Sequence, residues 1–208
     1  MSIDRDALLA AITRLNTAAE RDFEMLNDAD GALGDGDLGI TLSRGMSLIS
    51  EISGELPEDL GKALLQCAQA FTKSSGSSYG TLMATGLLAM AKALKGETMV
   101  APARVSELVA LARDSMQARG KAVLGGKTVL DSLDAVARAT SGQQDSQTVA
   151  DAAIEAVDRA LEEFRTVQAT IGRARMFGEK TIGMDDPGML AMQTIIRALA
   201  GENTRANE

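Results

Sequence analysis

Apolar residues recur at intervals of three and four along most of this chain, which is the period of an α-helix with one buried face. The pattern is clearest near the start of the chain, in Leu8, Ile12, Leu15, Ala19, Phe23 and Leu26. It predicts a first helix that begins near Asp4 or Asp6. Aromatic residues make up only 2% of the chain and Trp is absent, so Ala, Leu and Met must fill the core, and these residues favour helices over sheets. The sequence therefore predicts an all-α protein.

Further helices are predicted at 38–52, 57–74, 77–95, 103–119, 127–139, 147–168 and 187–200, which makes eight in all. The chain has 208 residues, of which 45% are apolar. This is enough for one large domain with its own core and leaves no obvious remainder for a second. We expect a single domain over 1–208. Pro57, Pro102 and Pro187 each stand where a helix could begin.

Cysteine, histidine and net charge limit the chemistry. The single Cys67 excludes an intramolecular disulfide, and the N-terminus lacks a signal-peptide pattern, so we expect a reduced, cytoplasmic setting. A formal charge of −8 opposes binding to nucleic acid or an anionic membrane, and no apolar run approaches the ~20 residues that span a bilayer. Because histidine is absent, any metal is expected to be a hard cation bound by oxygen.

Two long tracts, 28–39 and 172–188, and the shorter tract 120–126 resist the helical pattern because they are rich in glycine and charge. Loops of this length are often functional, since a helical scaffold can aim them at one common site. The case for function therefore rests on these loops.

The 28–39 tract holds four carboxylates within ten residues, at Asp28, Asp30, Asp35 and Asp37. Carboxylates forced together repel each other, whereas a divalent cation removes that conflict and accepts oxygen ligands readily. A magnesium-type site is one interpretation, and a solvated acidic turn with the carboxylates splayed apart is the other. The spacing excludes an EF-hand, which needs a glycine at position six and a glutamate at position twelve.

Two segments resemble phosphate-binding motifs, but neither has every feature that such a motif requires. The glycines of 34–39 match the dinucleotide fingerprint, but a helix precedes them, and the intervening aspartates would oppose a phosphate unless a metal lay between. The end of the tract 120–128 looks like a Walker loop, but Lys121 stands where the loop needs its first glycine. Thr128 is then either part of a functional loop or a plain helix cap. The aspartates therefore favour a phosphate that is bridged by metal.

Two further segments could serve an anion. The serines of 74–80 could present donors at a helix N-terminus, or they could simply separate two helices. The 172–188 tract adds Arg173, Arg175 and Lys180 to an acidic protein, which suits a nucleotide but is also compatible with a basic surface loop.

Taken together, these segments resemble the L subunit, or the equivalent C-terminal kinase domain, of dihydroxyacetone kinases (the DAK2-domain family). The segment 33–45, Leu-Gly-Asp-Gly-Asp-Leu-Gly-Ile-Thr-Leu-Ser-Arg-Gly, is similar to the family's magnesium loop. The segment 120–128 is similar to its middle loop and 172–188 to its nucleotide lid, in the same order. The resemblance implies a barrel of eight antiparallel amphipathic helices with the nucleotide and metal site at one end.

The resemblance also implies the ligands. ADP or ATP would be held through two Mg²⁺ ions between its phosphates and Asp30, Asp35 and Asp37. The nucleotide would be lined by Gly39, Ile40, Thr41, Ser78, Tyr79, Gly120, Val129, Arg173, Asp186, Pro187 and Gly188. The sequence departs from the family at Leu38, where His or Cys is usual, and in 74–80, where Gly-Gly-x-Ser-Gly is usual.

The function implied by the resemblance is phosphoryl transfer to a small ketose such as dihydroxyacetone. The resembling kinases hold the ketose covalently on a histidine of a separate K subunit, so a K-type subunit is the expected partner. The donor is either ATP or ADP rephosphorylated in place by a phosphotransferase-system phosphocarrier protein. No catalytic residue separate from the metal ligands is expected. A nucleotide-loaded regulatory subunit and a same-fold kinase for another acceptor, such as a four-carbon ketose, stay open, as does self-association.

Overall fold

Nine α-helices make up most of the computed structural model, which describes residues 2–73 and 76–201. They are α1 (Arg5–Arg21), α2 (Phe23–Leu33), α3 (Leu38–Ile52), α4 (Leu60–Thr72), α5 (Ser78–Ala93), α6 (Val105–Gly120), α7 (Val129–Ala139), α8 (Ser146–Arg165) and α9 (Pro187–Ala200). Short 3₁₀ helices lie at Ser53–Glu55, Pro102–Arg104 and Ala174–Thr181. In this described part of the chain, extended pairing is confined to one bridge between Ile3 and Val100. The all-α prediction is confirmed.

The predicted first helix is in fact two helices, because the chain turns at Asp22. This residue ends α1 and begins α2 with φ −94° and ψ 9°. Its carboxylate accepts a hydrogen bond from Thr194 Oγ1 on α9, at 2.8 Å, which fixes the turn against a distant helix. The described residues therefore form nine α-helices rather than eight. The eight-helix barrel and the single domain over 1–208 stay predictions.

Capping residues set where the helices begin. Asp59 accepts from Lys62 N at 3.0 Å, so α4 begins at Leu60 and not at the predicted Pro57. Asp186 caps α9 in the same way, and there Pro187 is the first helical residue, as predicted. Pro102 begins a 3₁₀ helix that leads into α6.

The helices pack on one another in a closed order. α1 contacts α3 and α9, and contacts between neighbours continue from α3 through α4, α5, α6, α7 and α8 back to α9. Their apolar faces meet in a core that includes Leu26, Leu42, Phe71, Val136 and Val157. An apolar cavity of about 320 Å³ lies within this core. Among the described residues, no helix is long and apolar enough to cross a membrane.

The contact between α4 and α5 can be tested at Gly61. A Cβ at this position would lie 2.7 Å from Ala91 O and 2.7 Å from Lys95 Cα, and these backbone atoms cannot move aside as a side chain could. Overpacking of this kind costs about 1–3 kcal/mol or more, against the ~1 kcal/mol that alanine gains over glycine in a helix. We expect Gly61→Ala to lower the free energy of unfolding measured in urea.

The matched control for this substitution is Gly54→Ala, because a Cβ at Gly54 would meet nothing within 4 Å. Its free energy of unfolding should stay close to that of the wild type. Equal stability of the two variants would show that α4 and α5 do not pack as described.

Candidate functional site

Three of the four aspartates in the 28–39 tract form a cluster. Carboxylate oxygens of Asp30, Asp35 and Asp37 all lie within 4.8 Å of one another. Asp28 is exposed on α2 and lies outside this group. A set of three carboxylates offers only oxygen ligands, which suits a hard divalent cation such as Mg²⁺. The structure thus brings together the residues that were predicted as metal ligands.

The cluster is built by the last turn of α2 and the short connection that leads into α3. The predicted loop 28–39 is much shorter than expected, because α2 continues through Asp30 to Leu33 and α3 begins at Leu38. Asp37 N donates to Asp30 Oδ2 at 2.9 Å, and this bond closes the short connection. Gly36 adopts φ +74°, a conformation that side chains rarely allow. Asp30 is therefore placed by a helix, and the other two ligands by a tight turn.

The carboxylate of Asp37 is available for a ligand. Asp37 occupies the N-cap of α3, yet within the described residues its side chain makes no capping hydrogen bond. Burial raises the pKa of Asp37, and the negative charges of Asp35 and Asp30 raise it further. The pKa of Asp35 is instead lowered, chiefly by its hydrogen bond with the Arg173 guanidinium. The cluster therefore holds one carboxylate that is balanced by a cation and one that is not.

Arg173 reaches the cluster from the far end of the chain. Its guanidinium forms an ion pair with Asp35, although both side chains remain about half exposed. The 172–188 tract that carries it is not an irregular loop, since it contains the 3₁₀ helix Ala174–Thr181. The structure thus places the predicted lid directly beside the predicted metal ligands.

The first turns of four helices surround the same region. Thr41 Oγ1 on α3 donates to Ser77 Oγ at 3.1 Å, and Ser77 caps α5 by accepting from Gly80 N at 3.0 Å. The beginnings of α3 and α5 are therefore in contact. Ser74 and Ser75, from the predicted 74–80 segment, lie outside the described residues.

The first turn of α9 lies against the first turns of α5 and α7. A Cβ on Gly188 would lie 3.7 Å from Tyr79 Cε2 on α5 and 3.7 Å from Val129 Cβ on α7. Helix N-termini carry partial positive charge and N–H groups that lack partners within the helix. Grouped N-termini favour an anion such as phosphate. Capping side chains of Ser77, Thr128 and Asp186 already bond one N–H each at the starts of α5, α7 and α9.

Tyr79 and Asp186 form a buried polar wall beside these helix ends. Burial raises the pKa of Asp186 to about 7, even though its carboxylate accepts from Met189 N at 2.9 Å. Burial also raises the pKa of Tyr79, and the neighbouring Asp186 adds to this effect. In the part of the chain that the structure describes, the buried Tyr79 hydroxyl oxygen has no hydrogen-bond partner. Such a group usually marks a place for a ligand or a water molecule.

The remaining residues that were predicted to line the nucleotide differ in exposure and packing. Ile40 is 47% exposed between the two buried residues Gly39 and Thr41. Gly39 has a packing role, because a Cβ there would lie 2.2 Å from Phe23 O on α2. Ser78 is exposed at the start of α5, and Pro187 is buried at the start of α9.

Gly120 lies apart from the four helix starts, at the C-terminal end of α6. A Cβ there would be 3.7 Å from Leu82 Cδ2, one turn along α5 from Ser78. The structure therefore places Gly120 against α5, about one turn from Ser78, and its contact with the nucleotide stays a prediction.

Two positioning residues were missed by the sequence analysis. Asp131 is 5% exposed and accepts from Gly125 N at 2.6 Å and from Thr128 N at 2.8 Å, which fixes the loop before α7. The pair of Thr128 and Asp131 three residues apart is a capping-box signal that could have revealed it. Asn27 Oδ1 accepts from Ile40 N at 3.2 Å. This contact joins two helices, so no local sequence pattern predicts it.

The profile of the DAK2 domain matches residues 32–201, a stretch that contains nearly all of this site. The chain belongs to the DAK2 domain family. The ADP-binding subunit DhaL of PEP-dependent dihydroxyacetone kinase 1 from Listeria innocua is 29% identical over 200 residues, covering 96% of this chain and 97% of that protein. L-erythrulose kinase from Pectobacterium atrosepticum is 28% identical over 203 residues, covering 94% of this chain and 32% of that protein.

A solved structure of a DAK2 relative has the same fold. The dihydroxyacetone kinase of C. freundii, in its native form, superposes with a TM-score of 0.75 at 24% sequence identity. The alignment covers 94% of this chain and 34% of that longer chain. The helical arrangement described above therefore matches the fold of one part of that longer chain.

The two aspartates at the centre of this family motif should respond oppositely to neutralisation. A carboxylate with a raised folded-state pKa stabilises the protein below its unfolded pKa, and this contribution is lost as pH rises through the folded pKa. Asp37→Asn should therefore raise the melting temperature in a metal chelator, by more at about pH 8 than at about pH 4. Asp35→Asn should lower it at neutral pH, because the lowered pKa of Asp35 reports a favourable pairing with Arg173.

Asp28→Asn is the control, since it removes a charge from the same tract outside the cluster. It should leave the melting temperature nearly unchanged. A fall in stability for Asp37→Asn at both pH values would mean that Asp37 is a structural cap.

Proposed function

We propose that this chain is the nucleotide-binding subunit of a dihydroxyacetone-type kinase, which transfers a phosphoryl group from a magnesium-bound nucleotide to a small ketose. The observation that carries the proposal is the meeting of four helix N-termini beside three clustered carboxylates. Helix N-termini attract an anion, whereas carboxylates repel one. A metal-bound phosphate satisfies both, because the metal binds the carboxylates while the phosphate oxygens face the helix ends.

The metal would be held by Asp30, Asp35 and Asp37, as two Mg²⁺ ions. The donor set fits magnesium, since three carboxylates supply oxygen ligands and leave positions for phosphate oxygens and water. Magnesium supplies electrostatic neutralisation of the charge on a migrating phosphoryl group. The carboxylates themselves hold and orient the ions, so no separate catalytic residue is required.

The nucleotide would extend from the metal towards the buried polar wall. The backbone of Gly39, Ile40 and Thr41 would meet the phosphates together with Ser78 and Tyr79. The rest of the nucleotide would be lined by Gly120, Val129, Arg173, Asp186, Pro187 and Gly188. The relative from Listeria innocua is named as an ADP-binding subunit, and this supports ADP as the resident nucleotide.

Metal and ADP should bind as a unit, because phosphate oxygens complete coordination shells that three carboxylates cannot fill. We expect calorimetry to show much tighter ADP binding with Mg²⁺ than in a chelator. In the Asp35→Asn variant, Mg²⁺ should increase the affinity for ADP far less. In the Asp28→Asn variant, Mg²⁺ should increase it as in the wild type. Equal ADP affinity in both buffers would contradict the three-aspartate site.

The ketose must be presented by a second protein. The chain contains no histidine, while the kinases it resembles hold the ketose covalently on a histidine of a K-type subunit. That partner would dock at the end of the molecule where the four helices begin. The Listeria relative is PEP-dependent by name, which favours a phosphotransferase-system phosphocarrier protein as donor to bound ADP, over exchange with free ATP.

This division of labour predicts that the purified chain, given Mg²⁺ and ATP, phosphorylates free dihydroxyacetone poorly. A partner that immobilises the acceptor removes an entropic cost that can reach ~7–11 kcal/mol. We expect product formation to rise by orders of magnitude when a K-type subunit is added together with the phosphocarrier donor, measured by the loss of dihydroxyacetone. Rapid turnover by the chain alone would rule out a two-part kinase.

A kinase of the same fold with another acceptor is the second candidate. The relative L-erythrulose kinase favours it, because that enzyme is named for a four-carbon ketose. A panel of three- and four-carbon ketoses, assayed with the cognate partner, separates the two. A third reading, a nucleotide-loaded regulatory subunit, requires that no ketose stimulates nucleotide consumption in the same assay.

A further inference from the structure

Lys127 is a cation buried in the interior, with only 1% of its surface exposed. Its ammonium donates to Thr181 O at 2.7 Å, to Val167 O at 2.9 Å and, more weakly, to Arg165 O at 3.4 Å. An ammonium group has three donors, and main-chain carbonyls take all of them. Burial lowers the pKa of Lys127, so keeping a charge here is costly and calls for a physical reason.

The three acceptors belong to the two ends of the segment that carries Arg173. Arg165 is the last residue of α8 and Val167 lies just beyond it, so their carbonyls form the negative end of that helix. Thr181 is the last residue of the 3₁₀ helix. We call 165–171 together with 179–183 the lid base. Lys127 binds both halves of this base at once.

Other hydrogen bonds join the two halves of the lid base. Thr181 Oγ1 accepts from Ala169 N at 2.9 Å and donates to Gly178 O, just outside the base, at 2.7 Å. Gly183 N donates to Arg165 O at 2.8 Å, which is a second bond between the halves. Thr181 is fully buried. The two halves are therefore bonded to each other, and Lys127 bonds to both.

The segment between the two halves has different properties. We call 172–178 the lid tip, and it is bounded by Gly172 at φ +71° and Gly178 at φ +56°. Met176 in the tip is 84% exposed, and Arg173 pairs with Asp35. The tip thus extends from the base to the acidic cluster, which it contacts through Arg173.

The backbone of Lys127 belongs to the opposite side of the site. Gly126 O, one residue earlier, accepts from Thr170 N of the lid base at 3.3 Å. Thr128, one residue later, caps α7, and Val129 lies against Gly188, beside the polar wall of Tyr79 and Asp186. The loop before α7 is therefore joined to the lid base through the main chain of Gly126 and the side chain of Lys127.

We propose that Lys127 is a positioning residue that fixes the lid base relative to the polar wall of Tyr79 and Asp186. It thereby determines where Arg173 meets the bound phosphates. The inference rests on the proposed function, because it requires a nucleotide between the wall and the lid tip. Loss of the ammonium would remove one hydrogen bond from each of the three carbonyls, of which Arg165 O keeps Gly183 N and Thr181 O keeps Met184 N. The base would then be held to the loop before α7 less firmly. Nucleotide would then be released faster, although the acidic cluster itself is unchanged.

A double-mutant cycle separates this role from a general contribution to stability. The variants are Lys127→Met, Arg173→Gln and the two combined, and the readout is the dissociation rate of a fluorescent ADP analogue, mant-ADP, bound with Mg²⁺. We expect each single variant to release it roughly tenfold faster, within the range of coupling energies of interacting residues. If Lys127 acts through Arg173, the double variant should release it no faster than Arg173→Gln alone.

Arg14 offers a matched control. Its guanidinium donates to Ala198 O at 2.8 Å and to Leu199 O at 3.1 Å, so it also pairs a cation with carbonyls at a helix C-terminus. Arg14→Met should lower the melting temperature as Lys127→Met does. It should not change mant-ADP release, either alone or combined with Arg173→Gln.

Thr181→Val provides a second route if Lys127→Met does not fold. It keeps the size of the side chain and removes the Oγ1 hydrogen bonds of the lid base, so it should show the same non-additivity with Arg173→Gln. Rates that multiply in the double variants would overturn this inference alone. A wild-type chain that does not bind mant-ADP with Mg²⁺ would overturn the proposed function as well.

Discussion

Opposed charges at one end of the helices are the constraint on which the site depends. The N-termini of α3, α5, α7 and α9 place positive partial charge around a region where Asp30, Asp35 and Asp37 also converge. Either feature alone would be a simple ion site. Together they require a ligand that is anionic towards the helices and cationic towards the carboxylates, and a metal-bound nucleotide has both properties. The guanidinium of Arg173 offsets part of the negative charge of the three aspartates by pairing with Asp35.

Close packing of α3 against α2 holds the three aspartates in their relative positions. α3 must approach α2 closely for Asp37 to donate its N–H to Asp30, and Gly39 permits this approach because any side chain would collide with Phe23 O. Asn27 then holds the first turn of α3 through Ile40 N. The three aspartates are therefore positioned by the close approach of α2 and α3 and by the tight turn between them. A cluster anchored on regular elements in this way is more precise than one on a long loop.

Local patterns in the sequence predicted the helices and the acidic cluster, since periodicity, caps and spacing are properties of neighbouring residues. The features that were missed depend on distant contacts. The turn at Asp22 is fixed by Thr194 on α9. Lys127 looked like the end of a failed Walker motif, yet its role comes from carbonyls at Val167 and Thr181, which are 40 and 54 residues away. No local pattern reports such a contact.

In the proposed function, the departures from the family motif would change how the phosphates are held. Leu38 stands where His or Cys is usual, and it is buried in the apolar core as the first residue of α3. It cannot offer a polar side chain to a ligand from there. Contact from this helix with the phosphates would then fall to main-chain groups such as those of Gly39, because Ile40 N already donates to Asn27 Oδ1. Tyr79 would compensate on the facing helix, because its ring packs beside Gly188 while its hydroxyl oxygen has no partner among the described residues. The contacts to the nucleotide would thus shift from α3 side chains towards α5.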